Sequence, residues 1–140
     1  MEDLRCTCLC GRVELALELP TRFVSHCHCH NCRRAHGAAF VTWAGFPEAQ
    51  VRFVRGEDEV VRYDTDVRSQ RTFCGSCGST LLFSGERWAG EVHVAVGNIE
   101  GELDRPPSAH AYADRVVDWC PIRDDLPRFG GPDGTERLDP

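Results

Sequence analysis

With 140 residues, 41% of them hydrophobic and 27% charged, the chain has the composition of one soluble globular domain. Such a chain buries one core rather than two, so any metal site has to share it. A formal net charge of −6 argues against a nucleic-acid binder, whose phosphate affinity comes from clustered basic residues, and no apolar run approaches the ~18 residues of a membrane span.

The N-terminal MEDLRCTCLCG has neither a basic start nor a continuous hydrophobic stretch, so it does not read as a signal peptide, and a cytoplasmic, reducing setting is expected. Nine cysteines in that setting, odd in number and closely spaced, point to metal rather than disulfides. Further along, VELALEL (13–19) alternates Val13, Leu15, Leu17 and Leu19 against Glu14 and Glu18, the period of a half-buried strand. Strand-like runs follow at 39–46, 51–55, 59–64, 71–74, 79–84, 91–97 and 108–115, punctuated by Gly, Pro and Asp. Only NCRRAHG (31–37) reads as a helical turn. Short strands at this spacing predict an all-β domain over 1–122. The stretch from Arg123, RDDLPRFGGPDGTERLDP, is polar and rich in Gly and Pro, and reads as an extended tail over 123–140.

The cysteines fall into three groups. In FCGSCGS, a tight turn aims Cys74 and Cys77 at one point, with Gly75 and Gly78 letting the backbone fold beneath a metal. Thioredoxin-like redox pairs share the C-x-x-C spacing, but the strand pattern lacks their βαβ context. One such turn gives two ligands and tetrahedral zinc wants four. CTCLCG can supply the others: Cys8 and Cys10 are two apart, share a face on a strand, and precede Gly11 as Cys77 precedes Gly78. Cys6 has the same parity but no glycine after it. Cys8, Cys10, Cys74 and Cys77 thus form a candidate four-thiolate site that is closed and structural.

The third group lies in HCHCHNCRRAHG (26–37). On a strand, Cys27 and Cys29 share one face and His26, His28 and His30 the other, while Cys32 rejoins the cysteine side after a short turn. Three thiolates converge, the pattern of a zinc with an open position. Two alternatives stay open here. His36 could reach back as a fourth ligand, or all seven grouped cysteines could serve folding, with a histidine or water closing the second site. The C-x₂-C-x₂-C-x₃-C run of an iron–sulfur cluster is absent.

With its CxCG, CHCHNCRRAHG and FCGSCGS motifs in that order, the sequence resembles the glutathione-dependent formaldehyde-activating enzyme family, which includes centromere protein V. The likeness runs from about Leu4 to Ile122 and takes in Trp43 of VTWAGFP, the VAVGNIEGELD turn, and His110 and Trp119 of HAYADRVVDWCPI. It implies an all-β, Mss4-like zinc fold with two zinc ions per chain. Cys8, Cys10, Cys74 and Cys77 would hold the structural ion, and Cys27, Cys29 and Cys32 a catalytic one with an open position. The implied activity is carbon–sulfur lyase chemistry, the reversible addition of glutathione to formaldehyde to give S-hydroxymethylglutathione, with a small-molecule thiol as the partner. A thiol is nucleophilic as its thiolate, and three donor sulfurs would keep a bound thiolate reactive. Arg33, Arg34, Arg68 and Arg71 lie near the ligand cysteines and either clamp a carboxylate of glutathione or are solvated surface. His93 and His110 are either strand residues with hydrogen-bond partners or proton shuttles, and Cys6 and Cys120 stay unassigned. A non-enzymatic, zinc-stabilised binding module is the competing function. A methionine sulfoxide reductase would need a late nucleophilic cysteine, and Cys120 in DWCP does not match that family's motif.

Overall fold

The computed structural model describes residues 4–139. Its elements, in chain order, are β1 (Leu4–Thr7), β2 (Glu14–Leu17), β3 (Phe23–Cys27), α1 (His30–His36), β4 (Val41–Pro47), β5 (Val51–Arg55), β6 (Val60–Asp64), β7 (Ser69–Cys74), β8 (Thr80–Gly85), β9 (Glu91–Ala95), β10 (Ile99–Glu100), β11 (His110–Ala111), β12 (Arg128–Gly130) and β13 (Glu136–Leu138). Strands dominate and α1 is the single α-helix among the described residues, as the sequence predicts. No described helix is long and apolar enough to cross a membrane.

Two compact units make up the chain. The first holds the described residues up to Arg22 together with Ala44–Arg105. In it, strands lie in the orders β10-β1-β2-β5 and β9-β8-β7-β6, every neighbouring pair antiparallel. Strand β2 is flanked by β1 and β5, so it is covered on both edges and both faces. Val13, Leu15 and Leu17 of the predicted alternation are 0% exposed, and Ala16 on the opposite face is buried too. Phe46, Leu81 and Val94 complete this core, each 0% exposed.

The second unit holds Phe23–Trp43 and the residues from Pro106 onward. Its strand order is β13-β12-β11-β3, with β11 parallel to both β3 and β12. The strand expected over 108–115 shortens to β11, because Tyr112 turns into the left-handed region at φ 53° and a 3₁₀ turn follows over Ala113–Arg115. The segment from Arg123, expected as an extended tail, instead forms β12 and β13. Its polar composition is no obstacle, because hydrogen bonds rather than apolar burial hold it. The His110 N–H donates to Pro127 O at 2.9 Å, Arg128 pairs with His110, and β12 satisfies the free edge of β11.

Phe46→Ala removes the largest fully buried apolar side chain of the first unit, and is expected to lower stability by ~3–5 kcal/mol. Urea unfolding checks it through a lower midpoint at unchanged slope.

Candidate metal centres

Cys8 lies one residue past the end of β1, so Cys8 and Cys10 are brought together by a turn and not by strand parity. Gly11 N–H closes that turn on Cys8 O at 3.1 Å. The same device recurs at the end of β7, where Gly78 N–H closes on Cys74 O at 2.8 Å. Gly11 and Gly78 have φ of +80° and +79°, a conformation that only glycine adopts without strain. Leu9 N–H donates to Ser79 Oγ at 2.9 Å and so ties one turn to the other.

The sulfurs of Cys8, Cys10, Cys74 and Cys77 all lie within 4.8 Å of one another. Cys8 and Cys10 Sγ are 3.6 Å apart, and Cys10 and Cys74 Sγ 3.8 Å. Four sulfurs ~2.3 Å from a common centre have tetrahedral edges of about 3.8 Å, so the spacing fits zinc. Proton affinities make the same point. Cys77 is held down to about 5, first by the Ser79 hydroxyl 3.2 Å from its sulfur. Burial disfavours the Cys8 thiolate, but the Val13 N–H 3.3 Å from its sulfur and the thiols of Cys10 and Cys74 outweigh it and hold that thiol below its usual range, against Cys77. At Cys10 the Arg12 N–H favours the thiolate, yet desolvation and the sulfurs of Cys8, Cys77 and Cys74 push it up to about 11. The four cannot ionise together without a cation among them.

The second cluster is built differently. Cys27 ends β3, Cys29 caps α1, and Cys32 lies in the first helical turn. The strand expected to carry both Cys27 and Cys29 ends at Cys27, and Cys29, its backbone still extended, serves as the helix cap. Cys32 N–H donates to Cys29 Sγ at 3.3 Å, Cys32 and Cys27 Sγ are 3.5 Å apart, and Trp43 Nε1–H donates to Cys32 Sγ at 3.4 Å. All three sulfurs lie within 4.8 Å of one another. The thiols of Cys29 and Cys32, followed by burial, push the Cys27 thiol far up. The Cys27 thiol favours the Cys32 thiolate, but Cys29 and burial outweigh it and Cys32 is raised as well. These sulfurs are poor anions unless a cation joins them, and three of them fill three corners of a tetrahedron.

His36, weighed above as a fourth ligand, is not in this group of donor atoms; its ring meets Trp43 edge-on at 5.3 Å. His26 pairs through Nδ1 with Thr42 Oγ1 at 2.7 Å, and His30 is exposed at the start of α1. His28 is buried, and burial, followed by His110 and His26, holds its imidazole down to about 4, so it is neutral at pH 7. His110 in β11 sits between His28 and Asp124, 2.8 Å from the first and 3.0 Å from the second. His93 in β9 pairs with Glu91 at 2.9 Å, and Glu91 also meets Arg22 at 3.1 Å. Among the arginines, Arg68 pairs with Glu86 at 3.5 Å, Arg71 is buried over the Phe83 ring, and Arg33 and Arg34 lie on α1 beside Cys32. Cys6 is fully buried in β1, and burial with Cys8 beside it pushes its thiol up to about 12, which makes it inert. Cys120 is half-buried and joins neither cluster.

Three participants were not legible in advance. Trp43 as a donor to sulfur and Ser79 as a link between the two turns carry no spacing signal, and Asp124 lay in the stretch read as a tail.

Residues 3–115 match the glutathione-dependent formaldehyde-activating enzyme family. The chain belongs to that family. A Halomonas elongata protein named "Putative glutathione-dependent formaldehyde-activating enzyme" is 27% identical in an alignment of 123 residues that covers 83% of this chain and 78% of that one. An "Uncharacterized lyase" of Schizosaccharomyces pombe is 30% identical over 84 residues, 60% of this chain and 59% of its own length. The crystal structure of a Rhodobacter sphaeroides protein superposes with a TM-score of 0.61 at 32% identity, covering 72% of this chain and 92% of that chain.

Cys74→Ala is expected to abolish stable folding, because a partly buried four-sulfur cluster loses its closure at a fully buried corner. Cys29→Ala is expected to keep the circular dichroism of the native chain while one bound metal ion is lost. Metal content measured beside the spectrum checks both, and loss of both ions from Cys29→Ala would overturn the division.

Proposed function

We propose that this chain is a zinc-dependent enzyme of the carbon–sulfur lyase type that makes and cleaves a thiol–aldehyde adduct, with glutathione and formaldehyde giving S-hydroxymethylglutathione. The observation that carries this is the contrast between the two clusters. Four sulfurs close a tetrahedron at Cys8, Cys10, Cys74 and Cys77, whereas Cys27, Cys29 and Cys32 stop one donor short. Family membership and the names borne by the Halomonas and Schizosaccharomyces relatives support the same chemistry.

In this reading, Cys8, Cys10, Cys74 and Cys77 hold a structural zinc, and Cys27, Cys29 and Cys32 hold a catalytic one. Bound at the three-sulfur site, zinc supplies the charge that keeps an incoming thiol deprotonated at neutral pH, against a free-thiol pKa of ~8.5. The chain itself fixes the donors. Cys32 N–H and Trp43 Nε1–H hold the sulfurs of Cys29 and Cys32 and draw off part of their charge. Arg33 and Arg34, next in sequence to Cys32, are the residues for the carboxylates of glutathione. In the addition, the sulfur–carbon bond forms, the carbon–oxygen double bond opens, and the proton from the thiol ends on the carbinol oxygen. Nine cysteines without a disulfide support a reducing compartment, the cytoplasm, for this activity.

Native mass spectrometry with and without glutathione tests it. Two zinc ions per chain, and a glutathione complex that disappears in Cys29→Ala, are expected. Two ions with no complex for any small thiol would instead favour a zinc-stabilised binding module.

A further inference from the structure

Strand β6 ends its sheet, with β7 on one side and, among the described residues, no strand on the other. Gly75 N–H donates to Glu59 O and Thr65 N–H to Ser69 O, each at 2.9 Å. The β6–β7 register is unbroken from Val60↔Cys74 to Asp64↔Gln70. Backbone groups of alternate residues face the same neighbour, so Val61 and Tyr63 turn theirs to β7 and Val60, Arg62 and Asp64 turn theirs outward. An open edge of this kind is a template for another strand unless proline, a bulge or a cover blunts it. VVRYD has no proline and its register no bulge.

The side chains of this edge are as open as its backbone. Residues 61–64 are all exposed, and Val61 and Tyr63, 45% and 62% exposed, stand on one face of the strand. The other face carries Val60, Arg62 and Asp64. Arg62 is loosely held, 3.8 Å from a largely exposed Glu57 and 5.9 Å from the Phe53 ring centroid. Asp64 Oδ1 accepts from Gln70 Nε2 at 2.9 Å.

A closed pair of identical chains is two-fold symmetric, so two copies of β6 meet antiparallel. With the outward groups on Val60, Arg62 and Asp64, even-numbered residues pair only with even-numbered ones. Centred on Arg62, the strands would oppose arginine to arginine, and centred on Asp64, aspartate to aspartate. Centred on Val61, they would set Arg62 against Val60. Centred on Tyr63, they set Arg62 against Asp64 of the second copy, twice, and Tyr63 against itself at the closer, non-hydrogen-bonded spacing. We propose that β6 docks on β6 of a second copy of this chain about a two-fold axis at Tyr63. The strands β9-β8-β7-β6 of the two copies then run on as one sheet. This pairing uses no residue of either cysteine cluster.

Two short strands make a small interface, so a reversible dimer is expected, with a dissociation constant on the order of 10–100 µM. The test uses the full zinc-loaded chain, because Val60 pairs with Cys74 of the four-sulfur cluster. In analytical ultracentrifugation the mass is expected to rise with concentration from 15.7 kDa toward twice that value. Amide exchange at Arg62 and Asp64 is expected to slow over the same range, while Val61 and Tyr63, already bonded to β7, stay as they are. Arg62→Asp and Asp64→Arg each set like charges against each other and are expected to weaken the dimer about tenfold or more, with circular dichroism and zinc content unchanged. Mixed in equal amounts, the two variants face each other with opposite charges at both positions and are expected to associate where neither does alone. A dimer as strong as wild type in either variant, or a wild-type dimer with no slowed exchange at Arg62 and Asp64, overturns the docking edge. A mass of 15.7 kDa at every concentration up to ~1 mM overturns it as well. A mixture that stays monomeric overturns the register centred on Tyr63.

Discussion

Like charges on clustered sulfurs are the constraint on which this protein is built. Four thiols within 4.8 Å cannot all release their protons in a partly buried setting, and the chain holds them there nonetheless. Cys77 is poised as an anion by Ser79 while Cys10 is pushed the other way, so the metal-free cluster is internally opposed. A divalent cation removes the conflict and turns proximity into bonding, which makes metal affinity part of the folding free energy. The two glycine-closed turns, one after β1 and one after β7, are the backbone's contribution. They bring together residues 64 apart in sequence, Cys10 and Cys74, in a domain whose apolar core is modest.

The three-sulfur cluster applies the same physics and stops short. Its donors come from a strand end, a helix cap and the first helical turn, and its sulfurs receive hydrogen bonds from the Cys32 amide and the Trp43 indole. Those bonds fix the rotamers of the donors and moderate their charge. Three donors leave one tetrahedral corner unfilled, the feature on which the proposed thiol chemistry depends.

Buried polar groups also pair within the second unit. His28 and His110 are buried there with Cys27 and Cys32, and His110 lies within hydrogen-bonding distance of both His28 and Asp124. Buried networks of this sort are costly when half satisfied and rigidify the fold when complete.

How much of this the sequence contained depended on distance along the chain. Cysteine groups two or three residues apart are local facts, and spacing alone was enough to pair CTCLCG with FCGSCGS and to set HCHCHNC apart. The alternation around Leu15 and Leu17 likewise placed β2, and the strand-like run VRFVR at Val51–Arg55 placed β5 with its bounds, because side-chain period is a property of consecutive residues. Parity misled where the chain left the strand: Cys8, Cys10 and Cys29 converge through turns and a helix cap that no period encodes. Tertiary structure alone decided the rest. His28 and His110 meet across 82 residues, and the stretch from Arg123 became strand because β11 offered an edge to hydrogen-bond, not because its own composition favoured one. Partners chosen by three-dimensional proximity leave no mark in the spacing of a single chain, and that is why the cysteines were legible and the contact of His28 with His110 was not.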